Sequence, residues 1–230
     1  MLAELEELLR ALPAETPRER YTTAVVEDNV LGKATEATRK LTSQRLGELY
    51  GLDPSLPLFR ALRRVWSQDE AGRPICALLC ALARDPLLRS TAQPVLDLPE
   101  GAELMRTSFL DAIRSAVGER LNESVLDKVA RNAASTWCQS GHLEGRVRKL
   151  RRRVTPTPGA LALALWLGSL EGLAGEQLLG SRWARVLDRG PRELEPVVLR
   201  AKQLGLITAS IGGGTTEIDP SDLDAPQRER

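Results

Sequence analysis

One stretch constrains the fold more than any other, because it joins a helical pattern, a glycine stop and a dense run of cations. It extends from Leu121 to Val154 and reads LNESVLDKVARNAASTWCQSGHLEGRVRKLRRRV. Apolar residues recur at helical spacing between Val125 and Trp137, and Ser124 has the side chain of a typical N-cap. Glycine is the residue that most often follows the end of a helix. The pattern therefore predicts one amphipathic helix that stops at Gly141 and leads into a basic segment.

The basic segment concentrates positive charge in a chain whose net charge is only +1. Between Arg120 and Arg153, nine basic side chains stand against three acidic ones. Such a local excess indicates an anionic partner, although charged runs are also common on solvated helix faces. Two geometries fit the segment. It is either a strand–turn–strand wing or a basic amphipathic helix whose apolar positions are Leu143, Val147, Leu150 and Val154.

The remaining chain also reads as helical, and its composition of 42% hydrophobic and 27% charged residues is that of an ordinary globular protein. The apolar run from Ile75 to Ala83 predicts a central buried helix. Two prolines in Thr155–Gly159 predict a domain boundary, and the β-branched residues around the glycines of Ile207–Ile218 predict a hairpin that turns at residues 212–214.

The predicted fold is mainly α: a helical bundle with one or two winged-helix or helix-turn-helix-like modules and a small C-terminal β-hairpin. Its predicted parts are an N-terminal helix and connector (1–20), a helical DNA-binding domain ending in the basic segment (21–154), a helical, winged-helix-like domain (155–220) and a disordered tail (221–230). A local echo supports two modules: the sequences QSGHL and QLGLI, from residues 139 and 203, each place a glycine between a helical and an extended pattern, 64 residues apart.

No catalytic motif of comparable weight occurs. The glycines before Thr215 lack the lysine of a phosphate-binding loop, and the aspartates are scattered. Cys138 and His142 are four residues apart, but His142 is the single histidine and no second pair completes a zinc site. We therefore expect a non-catalytic protein without a metal, a cofactor or a small-molecule substrate.

Three cysteines cannot form a closed set of disulfides, which favours a reducing compartment. Met1–Leu12 lacks the basic start and apolar centre of a signal peptide. The longest apolar run, Gly159–Leu170, is too short to span a bilayer. We expect a cytoplasmic location and no membrane partner.

The candidate site residues are those that suit contact with double-stranded DNA. Phosphate contacts are expected from the cations of the basic segment, Arg146, Arg148, Lys149, Arg151, Arg152 and Arg153, supported by Lys128 and Arg131. Base edges are expected to meet Asn132, Ser135 and Gln139. Further phosphate contacts could come from an earlier helix, through Lys33, Thr35, Thr38 and Arg39. The alternative function is an adaptor or RNA-binding module whose basic segment docks an acidic partner.

The layout resembles the BrxA family of bacterial BREX phage-defence systems. The resemblance covers roughly Asp28 to Arg153 and rests on five features: Asn29-Val30-Leu31 with Lys33, the Thr35–Thr38–Arg39 helix, the apolar Leu78–Ala83 helix that closes in Arg84-Asp85, the Ser124–Trp137 helix, and Gly141-His142-Leu143 before the basic stretch. It implies a non-catalytic component that binds double-stranded DNA through helix-turn-helix-like parts and acts beside a methyltransferase and ATPases. The Ile207–Ile218 hairpin and the N-terminal helix depart from that layout.

Overall fold

A computed structural model describes residues 1–212 and 215–225 of the chain. Within these residues the protein is mainly helical, as predicted, with two small antiparallel sheets. The helices are α1 (Leu2–Ala11), α2 (Arg18–Val26), α3 (Glu36–Tyr50), α4 (Pro57–Gln68), α5 (Arg73–Arg84), α6 (Pro86–Ser90), α7 (Ala92–Leu96), α8 (Arg106–Val117), α9 (Glu123–Gln139), α10 (Pro158–Ser169) and α11 (Pro191–Gln203). The strands are β1 (Leu143–Glu144), β2 (Leu150–Arg151), β3 (Thr208–Gly212) and β4 (Thr215–Asp219).

The centre of the molecule is formed by α5 and α10, the two helices whose sequences are apolar almost all round. Every residue from Ile75 to Leu82 is buried, and so is every residue from Gly159 to Gly168. Helices of this kind have no face suited to water and must be surrounded by other elements. The two pack against each other and against α4. One hydrophobic core therefore continues across the predicted boundary at residues 155–159, and the segments on its two sides do not have separate cores.

A buried carboxylate joins the beginnings of the two central helices. Asp69 accepts hydrogen bonds from the backbone N–H groups of Gly72, at 3.0 Å, and of Gly159, at 2.7 Å. The amino end of a helix carries unpaired N–H groups and a partial positive charge, so one carboxylate stabilises both ends at once. A Cβ on Gly159 would lie 2.7 Å from Asp69, so glycine is required for this approach.

Prolines mark helix beginnings more often than helix breaks. A proline occupies the first turn of α4, α5, α6, α10 and α11. In that turn the missing N–H costs nothing, because it would have no partner within the helix. Of the two prolines in Thr155–Gly159, Pro158 thus starts α10, with Thr157 as its N-cap.

Two local expectations differ from the structure. The cap of α9 is Asn122, whose side chain accepts a hydrogen bond from the N–H of Val125 at 2.9 Å, and not Ser124. The predicted tail is folded from Ser221 to Asp224 as a short 3₁₀ helix, because Leu223 is fully buried and Asp224 binds Arg60 and Trp166. Residues 226–230 lie outside the described part of the chain.

The C-terminal hairpin is confirmed. Strands β3 and β4 pair in an antiparallel register that runs from Thr208 opposite Asp219 to Gly212 opposite Thr215. The other two residues of the predicted turn, 213 and 214, lie outside the described residues. Over the part of the chain that the structure covers, no helix is long and apolar enough to cross a membrane.

Candidate nucleic-acid interface

Helix α9 separates its apolar and polar residues onto opposite faces. Its buried residues are Leu126, Ala130, Ala133 and Trp137, spaced by three or four positions. The opposite face is exposed and presents the side chains predicted to meet DNA: Lys128, Arg131, Asn132 and Ser135. Residues three and four apart lie on one side of a helix, so these four polar groups form one surface.

The end of α9 is set by Gly141, which has φ +86°. The N–H of His142 donates to the carbonyl of Trp137 at 3.1 Å, and the N–H of Gly141 donates to the carbonyl of Cys138 at 3.1 Å. These two bonds form the Schellman arrangement, which satisfies the last carbonyls of a helix and needs a left-handed residue at the glycine position. The predicted stop at Gly141 is confirmed, and the chain turns sharply into β1.

The basic segment is a hairpin. Strand β1 pairs with β2, and residues 145–149 form the connecting loop. A third extended stretch, residues 101–104, lies along the other edge of β2: Leu104 donates its N–H to Lys149 at 2.8 Å, and Arg151 donates to Ala102 at 2.9 Å. The alternative geometry, a basic amphipathic helix, is wrong, because Val147 is 91% exposed at the loop and the backbone of residues 149–151 forms sheet hydrogen bonds.

The six cations of the basic segment differ in their surroundings: two form surface ion pairs, three form none with the described carboxylates, and one is buried. Arg148 pairs with Glu103 and Arg152 with Glu144 at the surface. Arg146, Lys149 and Arg153 form no ion pair with the carboxylates that the structure describes, and Lys149 donates to the carbonyl of Gly145 at 2.5 Å. Surface pairs of this kind contribute about 0–1 kcal/mol and exchange readily for other anions. Five of the six cations therefore lie at or near the surface, and two of these, Arg148 and Arg152, are paired with a carboxylate.

Arg151 is the exception and corrects the prediction for that residue. Its side chain is 2% exposed, and its two terminal nitrogens bind the carboxylate of Asp188, one of them at 3.1 Å. The same carboxylate accepts the N–H of Val154 at 2.9 Å. A two-pronged arginine–carboxylate contact fixes both the distance and the plane of the guanidinium. Arg151 is a structural residue inside the protein and cannot reach a phosphate.

His142 belongs to the same buried cluster. Its Nε2 lies 2.7 Å from the carbonyl of Val186, which only accepts, so Nε2 carries the proton and Nδ1 accepts from the hydroxyl of Ser140 at 2.8 Å. Burial lowers the pKa of His142 to about 4, against the opposing influence of the Val186 carbonyl and of Asp188. The imidazole is neutral at physiological pH, and a structural role explains all of its contacts.

A groove lies between α8, α9 and the loop of the hairpin. Its volume is about 360 Å³, and Leu104, Phe109, Ala130 and Ala134 contribute to its apolar floor. Its rim carries four cations: Arg106, Arg131, Arg146 and Lys149. Asp127 pairs with Arg106 and lies 3.6 Å from Arg131, which lowers the positive charge on the helix side. Arg146 and Lys149 on the loop side pair with no carboxylate among the residues that the structure describes.

Sequence reasoning missed Arg106. It stands at the first position of α8, exposed, and only the packing of α8 across α9 brings it beside Asp127, 21 residues further along the chain. No spacing rule within the sequence connects the two. A cation at the start of a helix does not by itself indicate a binding site, so only the folded structure shows that Arg106 belongs to the groove.

Gln139 is exposed, but its side chain already forms hydrogen bonds within the protein. Its side-chain oxygen accepts hydrogen bonds from the amino terminus of Met1, at 3.2 Å, and from the N–H of Leu2, at 3.0 Å. Its amide nitrogen donates to Ser135 at 3.2 Å. The side chain therefore joins the start of α1 to α9, and a base edge would have to replace these hydrogen bonds.

The residues proposed on the earlier helix do not line this groove. Lys33 pairs with Glu4 at 2.9 Å, the Thr35 hydroxyl caps α3, and Thr35 and Thr38 bind each other at 2.8 Å. Arg39 also lies outside the groove lining. The candidate site therefore consists of α9, the start of α8 and the hairpin loop.

Neither protein-family models, nor curated proteins, nor solved structures gave a match to this chain. Within residues 1–212 and 215–225, no three His, Cys, Asp or Glu side chains come together as metal ligands. What the site can do is therefore read from its charges and shape: it presents cations along a groove of apolar floor, which suits a phosphate backbone.

Proposed function

We propose that the protein binds double-stranded DNA through a winged-helix-like unit, without catalysing a reaction. The unit consists of residues 101–104, α8, α9 and the β1–β2 hairpin. This order of strand, two helices and a two-stranded wing is that of winged helix-turn-helix modules, in which the second helix enters the major groove. By this reading α9 is the recognition helix and residues 145–149 are the tip of the wing.

The observation that carries the proposal is the groove between α9 and the hairpin loop. Arg106 and Arg131 line its helix side, and Arg146 and Lys149 line its loop side. A backbone strand of DNA that follows this groove meets cations on both sides, while its deoxyribose carbons face Phe109 and Ala134. On the exposed face of α9, Lys128 is then placed for a further phosphate and Asn132 for the adjacent bases.

The strength of this binding is expected to depend on salt. Each phosphate neutralised on duplex DNA contributes about 0.9 to the slope of log affinity against log salt concentration. The burial of Arg151 and the carboxylates beside Arg148 and Arg152 reduce the number of available cations below the six that the sequence suggests. Arg106 is held by Asp127, so the remaining cations of the groove and the adjacent face of α9, Lys128, Arg131, Arg146 and Lys149, predict a slope of about −3.6.

The test is a fluorescence-anisotropy titration of labelled duplex DNA over a salt series. The triple variant K128E/R146E/K149E should bind more weakly and reduce the slope by about 2.7. Its matched control is R192E/R200E/K202E, which makes the same charge change on the exposed side of α11. A loss of affinity that is equal in both variants would mean that total charge, and not this groove, is responsible.

A second candidate function is an adaptor whose groove receives an acidic protein segment or RNA. The mixture of apolar floor and cationic rim favours it, because acidic peptides commonly carry apolar residues. Duplex RNA and an acidic peptide in the same titration separate the candidates. Phage defence beside a methyltransferase and ATPases is the biological setting that the BrxA resemblance suggests, and co-purification from a cell containing such a system would test it.

A further inference from the structure

The pair of Arg151 and Asp188 connects the hairpin to a part of the chain that lies outside the proposed DNA-binding unit. Asp188 follows a short 3₁₀ helix, Ala184–Leu187, that stands between α10 and α11. Its carboxylate binds the guanidinium of Arg151 on β2 and the N–H of Val154 just after β2. The Asp188 carboxylate thereby binds both a side chain of β2 and the backbone just after β2.

The side chain of Arg151 also makes hydrogen bonds to the backbone on both sides of the hairpin. Its guanidinium also donates to the carbonyls of Arg152 and of His142, the latter at 3.4 Å. His142 is the residue between the end of α9 and β1, and its ring donates to Val186 in the same 3₁₀ helix. The C-terminal segment 186–188 therefore contacts β2 and the junction between α9 and β1.

The backbone at Asp188 adds an independent sign that the position of this carboxylate matters. Its φ is +58°, one of two non-glycine residues with a positive φ among the described residues. Left-handed backbone is unfavourable for residues with a Cβ, and asparagine and aspartate tolerate it best. Glycine would fit this turn more easily, but glycine would leave Arg151 buried without an anion.

We propose that Asp188 is a positioning residue for DNA binding: through Arg151 it sets the hairpin loop at the distance from α9 that lets Arg146 and Lys149 share one backbone strand with Arg131. The inference rests on the proposed DNA binding. It makes the C-terminal segment a part of the DNA-binding unit, although no residue of that segment lines the groove.

The test compares Asp188→Asn with Asp224→Asn in the full chain. Asparagine suits the left-handed backbone at 188, so the substitution removes the charge without adding strain. Asp224 is a half-buried partner of Arg60 and Trp166 far along the chain from the hairpin, and serves as a control for loss of a carboxylate in general. Asp188→Glu is a second variant, which keeps the charge and displaces it by one methylene.

The readout is the salt slope of duplex binding, measured well below the melting temperature. If Asp188 positions the hairpin, D188N loses the two loop contacts, and its slope falls by about 1.8, as does that of R146A/K149A. The combined variant D188N/R146A/K149A should then lose nothing further. D188E should give an intermediate slope, and D224N the wild-type slope.

A purely structural role predicts another result. A destabilised protein has fewer folded molecules, but each folded molecule makes the same contacts, so the slope stays at the wild-type value. Wild-type slopes in both D188N and D188E would overturn the positioning role while leaving DNA binding intact. Absence of salt-dependent binding by the wild-type protein would instead overturn the proposed function itself.

Discussion

The guanidinium of Arg151 is bound by the carboxylate of Asp188 in the interior of the protein, 37 residues further along the chain. Arg151 belongs to the most basic segment of the sequence, yet its neighbours Arg152 and Arg153 are exposed and it is not. The pair thus converts one member of a charged run into a structural contact. It also ties the hairpin to the turn before α11.

Removal of Arg151 should destabilise the protein strongly. Arg151→Ala leaves the Asp188 carboxylate buried without its cation, and breaking a buried pair in this way costs about 3–5 kcal/mol. Urea denaturation followed by circular dichroism measures the change in the free energy of unfolding. Arg152→Ala is the control, since its partner Glu144 is exposed and the expected loss is below about 1 kcal/mol. Equal losses in the two variants would contradict the assignment of Arg151 to the interior.

Gly145 should be required for the hairpin loop. Its φ is +108°, and a Cβ there would lie 2.1 Å from the carbonyl oxygen of Arg148. Gly145→Ala therefore adds a clash with backbone to the strain of the turn, and we expect a loss of about 1–3 kcal/mol together with weaker DNA binding. Gly101→Ala is the matched control: φ is +80° but nothing lies within 4 Å of the added carbon. If both variants lose the same stability, strain alone and not the close approach decides.

His142 should make the protein sensitive to acid. Burial lowers the pKa of His142 to about 4 in the folded protein, whereas the unfolded chain has a pKa of 6.5 at this residue. Between pH 4 and pH 6.5 the unfolded chain therefore binds more protons than the folded protein. The stability that the neutral ring contributes is complete above pH 6.5 and is lost as the pH falls toward 4, by about 3 kcal/mol. Thermal or urea unfolding of the wild type and of His142→Gln from pH 7 to pH 4 measures it.

The difference in stability between the two proteins should shrink as the pH falls, because glutamine does not titrate. Carboxylates that protonate in the same range affect both proteins alike. Parallel curves would show that His142 is not the group responsible.

Glu103 should restrain DNA binding. It pairs with Arg148, which is 74% exposed, and so competes with phosphate for that cation. Glu103→Gln keeps the size of the side chain and should tighten duplex binding and increase the magnitude of the salt slope by up to about 0.9. Glu70→Gln removes the partner of Arg73 away from the groove and controls for the change in net charge. Equal tightening in both variants would leave Glu103 without a special role.

The local sequence was sufficient to predict α9 and its end at Gly141, although Val125 lies on its exposed side. Helical periodicity and glycine at a left-handed position are properties of neighbouring residues, and they do not depend on what packs against them. The C-terminal hairpin was predictable for the same reason, since β-branched residues on both sides of glycines are a local signal.

Tertiary structure alone decided which cations remain at the surface and which residues line the groove. Arg151 looks like its neighbours in the sequence, and only the approach of Asp188 makes it a buried residue. Arg106 joins the groove because α8 crosses α9, and the exposed Gln139 is hydrogen-bonded by the start of α1. Charge in a sequence shows which residues need a partner, but the choice between water, phosphate and a buried carboxylate depends on contacts between distant segments, which only packing creates.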